Sequence, residues 1–134
     1  MTNRSAERIV DLCANLGCEL RPWGDRVSRK GEVVINCTPI GMWPDVESSP
    51  LSVTSLAGCR LVFDLIYRPL QTALLCEAEA AGCRAVNGLD MFVRQAAAQL
   101  ELWTGRRPDT ASARSFLEQR LSAAAGGSAA RRGK

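Results

Sequence analysis

The chain has 134 residues, 46% of them apolar and 23% charged, the balance of a globular domain and not of a disordered segment. A chain of this length buries roughly two thirds of its unfolded surface. It contains no histidine, which excludes Ser-His-Asp and Cys-His nucleophilic sites, His-containing zinc sites and H-E-x-x-H metal chemistry.

The net charge of +3 rests on Arg131, Arg132 and Lys134; with these set aside, basic and acidic residues balance. No basic face for nucleic acid is therefore expected. The six cysteines, Cys13, Cys18, Cys37, Cys59, Cys76 and Cys83, form no C-x-x-C pair and follow no secretory signal. They read as reduced, mostly buried thiols in a cytoplasmic protein. No apolar run is long enough to span a membrane.

In chain order, Ser5 to Leu16 predicts a helix, with Ile9, Leu12, Cys13 and Leu16 on one side and Gly17 at its stop. A short extended piece, Cys18 to Pro22, follows. Val33 to Asn36 is a β-branched run ended by Thr38-Pro39-Ile40-Gly41, and reads as a strand buried on both faces. A Pro/Ser-rich loop from Met42 to Ser55 leads to a second buried strand, Arg60 to Leu65. Thr72 to Ala81 predicts a helix stopped by Gly82, with Thr72 as its N-cap, and Cys83 to Val86 a third strand. Alternation of this kind implies βαβ units and a parallel sheet.

Leu89 to Trp103 is expected to be a helix with two apolar stripes. One carries Leu89, Phe92, Val93, Ala96, Leu100 and Trp103; the other carries Met91, Ala98 and Leu102 around Gln95. That leaves Asp90, Arg94, Ala97 and Glu101 for water, too narrow a polar face for a helix with one partner. A second amphipathic helix, roughly Thr110 to Ala123, carries Ala113, Phe116, Leu117 and Leu121 on its apolar side. The low-complexity stretch from 123 to 134 reads as a flexible tail. Its Gly126-Gly127 follows a helix and not a buried strand, so it cannot aim amides at a pyrophosphate. A glycine-rich first βα turn, the usual nucleotide site of a doubly wound sheet, is not found at the front of the sequence.

Four segments together resemble the C-terminal half of the shikimate/quinate dehydrogenase family. Asn3-Arg4-Ser5 is similar to its N-R-T element, with serine in place of threonine. Asn36-Cys37-Thr38-Pro39-Ile40-Gly41-Met42 matches N-x-T-P-x-G-M. Asp64 to Thr72, with Tyr67 and Pro69, matches D-x-x-Y-x-P-x-x-T. Asn87-Gly88, Met91 and Gln95 match N-G-x-x-M-x-x-x-Q, followed by Trp103-Thr104-Gly105.

The resemblance implies an α/β fold, a partial Rossmann domain (doubly wound, mostly parallel sheet) over 1–87. It implies C-terminal helices over 88–122 that pack on the family's N-terminal substrate domain. It implies NADPH-dependent reduction of 3-dehydroshikimate to shikimate, in aromatic amino acid and chorismate biosynthesis, in a chain from a longer polypeptide, of which a dehydratase–dehydrogenase fusion is one form. By resemblance, Arg4 pairs with the adenosine 2′-phosphate of NADP, flanked by Asn3 and Ser5. Thr38 lines the dinucleotide crevice, and Leu65, Gly88 and Met91 meet the nicotinamide. Tyr67 and Gln95 bind substrate. The family's catalytic Lys and Asp, its first strand and its glycine-rich loop belong to the half not matched here, so the chain alone is expected to be inactive. The apolar face of 89–103 is then expected to drive self-association or to receive that other half. An NAD-using quinate enzyme and a non-catalytic interaction fragment are the alternatives.

Read from the residues alone, Tyr67 is also an ordinary strand-end tyrosine and Met91 a core methionine. Gln95, on an apolar stripe, needs a partner, which favours a ligand. Asp64 is suited to loop amides, and Pro39 and Gly41 to a turn.

Overall fold

The computed structural model describes residues 1–28 and 31–129, without the side chains of 124–129. Three short strands, β1 (Val33–Asn36), β2 (Leu61–Asp64) and β3 (Arg84–Val86), form one parallel sheet in the order β1-β2-β3. Register places Val34 beside Val62 and Ala85, and Asn36 beside Asp64, on one face. Side chains alternate along a strand, so a slip of one residue would turn this set to the other face.

That face is covered by α2 (Ala73–Ala80), which joins β2 to β3, and by the 3₁₀ turn Val53–Leu56 in the β1–β2 link. Leu56, Val62, Leu74, Leu75 and Ala78, with the thiols of Cys59 and Cys83, make the core there. Thr72 caps α2 as expected, its hydroxyl accepting from Leu75 N.

The opposite face does not match the expectation of a strand buried on both sides. Val33 is 54% and Ile35 57% exposed. β1 is an edge of the sheet, and no helix of the described residues is packed over these two side chains. The apolar run was correct as a strand signal, but burial depends on what stands beside it.

The N-terminal segment lies outside this sheet. Thr2 pairs in parallel with Arg21 as an isolated bridge, and Arg21 N donates to the Met1 carbonyl at 2.9 Å. The helix between them is shorter than its apolar pattern suggests: a 3₁₀ turn Ala6–Ile9 and then α1 (Val10–Asn15). Ile9 and Cys13 are buried, whereas Leu12 and Leu16 face solvent. The following 3₁₀ turn, Trp23–Val27, carries Arg26, which stacks on Trp23 at 4.2 Å and donates to the Pro50 carbonyl at 3.0 Å. This ties the segment to the β1–β2 loop.

The C-terminal part is α3 (Leu89–Thr104) and α4 (Thr110–Ala129). Asp109 caps α4, accepting from Ala111 N at 3.0 Å and Ser112 Oγ at 2.5 Å. The helix continues through Ala125-Gly126-Gly127-Ser128 to Ala129, past the expected end near Ala123; the rest of the expected tail, 130–134, lies outside the described residues.

α4 packs at the border between the first apolar stripe of α3, from which Phe92, Val93, Ala96 and Leu100 line the groove between the two helices, and the strip assigned to water. Arg114 bridges Asp90 and Glu118 at 2.7 Å each, Arg107 pairs with Glu101, and Ala97 lines an apolar groove with Leu100, Ala113 and Leu117. Leu102 and Trp103 remain 83% and 75% exposed.

Candidate functional site

At the carboxyl ends of β1 and β2, register brings Asn36 and Asp64 side by side. Asp64 is completely buried. Its Oδ1 accepts from Asn36 Nδ2 at 3.0 Å and from Ile66 N at 3.2 Å, and its Oδ2 accepts from Thr72 Oγ1 at 2.7 Å. Burial pushes the carboxyl above the usual carboxylate range, and the donors from Thr72, Ile66 and Asn36 oppose that shift without cancelling it. The amide of Asn36 presents its oxygen to Thr38, accepting from the backbone N–H at 3.0 Å and the hydroxyl at 2.7 Å. Thr38 Oγ1 in turn accepts from Ile40 N at 3.3 Å. Asp64 thus satisfies a loop amide, as its residue type suggested, and also joins two strand ends to the α2 cap.

The segment after Thr38 turns back, with Met42 N donating to the Pro39 carbonyl at 3.0 Å. Gly41 sits at φ +92°, with Ser48 O only 2.9 Å from where a Cβ would stand. Both the left-handed backbone and the close carbonyl call for glycine.

Leu65 follows β2 and is half-buried; its backbone meets Gly88 at the mouth of α3. Gly88 N donates to the Ile66 carbonyl at 3.0 Å, and a Cβ on Gly88 would lie 2.0 Å from the Leu65 carbonyl oxygen. The close approach that requires glycine here is therefore made by the protein's own backbone, where the sequence suggested a nicotinamide. Asn87 braces the junction, donating to the Leu70 carbonyl and accepting from Leu89 N.

Tyr67, also after β2, stacks on Phe92 with ring centroids 4.6 Å apart and planes at 28°. This sets the phenol against the first turn of α3, the turn that carries Met91. Gln95 lies one turn further along. Tyr67, Met91 and Gln95 are all exposed. Gln95 does not need a ligand to satisfy its amide as its place on an apolar stripe suggested, because solvent reaches it.

Asn3, Arg4 and Ser5 form a separate group at the head of the first 3₁₀ turn. Asn3 Oδ1 accepts from Ser5 N at 2.9 Å, so the asparagine shapes the chain entry. Arg4 is exposed, and no ion pair among the described residues engages its guanidinium.

Sequence reasoning missed two positions. Asn36 was seen only as a motif letter, and its bridging role needs the β1–β2 register. Phe92 was placed on a packing stripe, and its stacking on Tyr67 needs the fold. No cluster of metal-ligating side chains occurs among the described residues. The cysteines are free, but Cys37 and Cys76 are exposed, unlike the expected buried thiols.

A parallel α/β sheet with polar and loop residues gathered at the strands' carboxyl ends is the Rossmann type, in which ligands bind at that edge. The family described as shikimate 5′-dehydrogenase C-terminal domain matches residues 88–115. The chain is 41% identical over 114 residues to the NADP(+) shikimate dehydrogenase of Shouchella clausii, covering 81% of this chain and 42% of that protein. With that of Moorella thermoacetica it is 37% identical over 142 residues, covering 98% and 48%.

Among solved structures, a chorismate mutase/shikimate 5-dehydrogenase fusion protein from Clostridium acetobutylicum superposes with a TM-score of 0.80 at 33% identity, over 90% of this chain and 45% of the other. Shikimate 5-dehydrogenase from Thermus thermophilus, in complex with NADP(H) and shikimate, gives 0.74 at 32% identity, over 90% and 44%. Quinate dehydrogenase from Corynebacterium glutamicum, in complex with NAD, gives 0.74 at 28% identity, over 87% and 44%. The chain belongs to the shikimate dehydrogenase family and corresponds to the C-terminal part of its members. It spans less than half the length of these relatives.

Proposed function

We propose that this chain supplies the later half of the NADP-binding Rossmann domain, and the helices that return from it, to an NADP-dependent shikimate dehydrogenase. The observation that carries the reading is the placement of Thr38, Leu65, Tyr67 and Gly88 at or just beyond the carboxyl ends of three parallel strands. When bound, NADPH supplies the hydride that reduces the keto group of 3-dehydroshikimate.

The chain's own residues bind and orient. The Arg4 guanidinium is exposed and unpaired by any carboxylate of the described residues, which suits a 2′-phosphate, with Asn3 and Ser5 beside it. Leu65 and Met91 give an apolar wall for the nicotinamide, and Gly88 acts by letting Leu65 and α3 close together. Tyr67, held by Phe92, and Gln95 offer a hydroxyl and an amide to the substrate's oxygens. By the resemblance, proton transfer at the reacting oxygen falls to the half not matched here.

The exposed ridge of α3 is the surface that meets that half, with self-association as the competing outcome. The same reading places the protein in the cytoplasm; no helix of the described residues is long and apolar enough to cross a membrane.

The test is NADPH oxidation with 3-dehydroshikimate, by the 134-residue chain alone and mixed with a relative's N-terminal half. The chain alone is expected to give no turnover above background, and the mixture to restore it. Substantial turnover by the chain alone would reject the assignment of proton transfer.

A second reading, quinate oxidation with NAD, is favoured by the likeness to the NAD complex of the Corynebacterium glutamicum enzyme. Arg4 separates the two. Arg4→Ala is expected to weaken NADP+ by about tenfold or more and NAD+ hardly at all, as one charge-assisted pair is worth about 1.5–3 kcal/mol. Equal effects on both would favour the NAD reading.

A further inference from the structure

Asp64 touches no solvent, and every bond it makes is received from a donor. A carboxylate has no proton to give, so the amide group of Asn36 that faces it must be the NH2. The Asn36 oxygen is thereby turned toward Thr38, where it takes both the backbone N–H and the hydroxyl proton. The hydroxyl proton of Thr38 is then committed inward, and Ile40 N occupies one lone pair of the oxygen. One acceptor position remains.

We propose that Asp64 is a positioning residue that acts through Asn36 to hold the half-buried Thr38 hydroxyl at the carboxyl edge as a hydrogen-bond acceptor only. Thr38 then receives a ligand's O–H or N–H, such as a ribose hydroxyl or a carboxamide NH2, and cannot donate to a phosphate oxygen. The ligand half of this inference rests on the dinucleotide reading above; the relay from Asp64 to Thr38 does not.

The relay has its own readout in the wild-type chain. No other ionisable side chain hydrogen-bonds to Asp64 among the described residues; its partners Asn36, Thr72 and the Ile66 amide are neutral. In a 15N–1H pH titration, the Asn36 side-chain amide and the Thr38 backbone amide are expected to shift together, with one midpoint above the usual carboxylate range. Both shifts should vanish in Asp64→Asn. A Thr38 amide that ignores the transition sensed by Asn36 would overturn the relay.

The ligand half is read by NADP+ binding to the full chain mixed with a relative's N-terminal half. Thr38→Val is expected to weaken binding about tenfold and Thr38→Ser to restore it, the loss expected for one hydrogen bond. Asp64→Asn should weaken binding in the Thr38 background and have no further effect once Thr38 is valine. Unchanged binding by Thr38→Val overturns the acceptor assignment. If the wild-type chain mixed with that half does not bind NADP+, the dinucleotide reading and the acceptor's ligand fall together, and the titration alone still decides the relay.

Discussion

A fully buried carboxylate is the most consequential residue in this chain, because its three donors come from a strand, a loop and a helix cap. Asp64→Ala strands all three, so a loss of at least about 3 kcal/mol is expected in urea unfolding. The sign of the pH effect follows from burial. Asp64 binds its proton more tightly folded than unfolded, so its ionised form weakens the native state near neutrality. That penalty is relieved as pH falls through the raised folded value, and is gone below the unfolded value of about 4. The stability of the wild type relative to Asp64→Asn is therefore expected to rise from pH 7 toward pH 4; a flat difference would reject the raised titration. Gly88 behaves differently. A Cβ 2.0 Å from the Leu65 carbonyl has nowhere to go, so Gly88→Ala must part α3 from β2 at about 2 kcal/mol or more.

Among the elements, α3 is anchored by its first two turns. Leu89 and Val93 are buried, while beyond them the helix runs out into solvent on its apolar side. Leu89→Ala is expected to cost about 2–4 kcal/mol in thermal or urea unfolding. The α3–α4 contact is held more weakly, by an apolar groove and by Arg114, a half-exposed side chain. Arg114→Gln should cost less than about 1 kcal/mol, and less again in high salt. Element positions were legible in the sequence because periodicity, Thr72 and the glycines mark them locally. The first apolar stripe of α3 does face α4, but two apolar stripes competed for one neighbour, and the border with the polar strip that α4 also covers was not legible. The groove that Phe92, Val93, Ala96 and Leu100 form with Ala113 and Leu117 lies on one side of that border, and the Asp90–Arg114 pair on the other.

For the whole molecule, exposed apolar side chains stand on α1 (Val10, Leu12), on the edge strand (Val33, Ile35), after β1 (Met42, Trp43) and along α3 to Leu102 and Trp103, the two most exposed of them. An exposed apolar ridge of this kind favours association. In sedimentation the chain is expected to self-associate in the absence of a partner half, and Leu102→Glu with Trp103→Glu to weaken that at least tenfold. A monomer at all concentrations would show that the ridge is not adhesive.

The sequence alone determined the alternation of strands and helices, the turn positions, the absence of histidine chemistry, and four motifs in the order of the shikimate dehydrogenases. These are local properties, carried by side-chain period and by residue type. Only the tertiary structure decided that Asn36 links Asp64 to Thr38, that Gly88 makes room for Leu65, and that Gln95 is solvated. The same holds for β1, which carries the sequence of an interior strand and stands at an edge. Each of these depends on which residues a neighbouring segment brings within hydrogen-bonding or van der Waals reach, and that proximity is set by register and packing between parts of the chain distant in sequence.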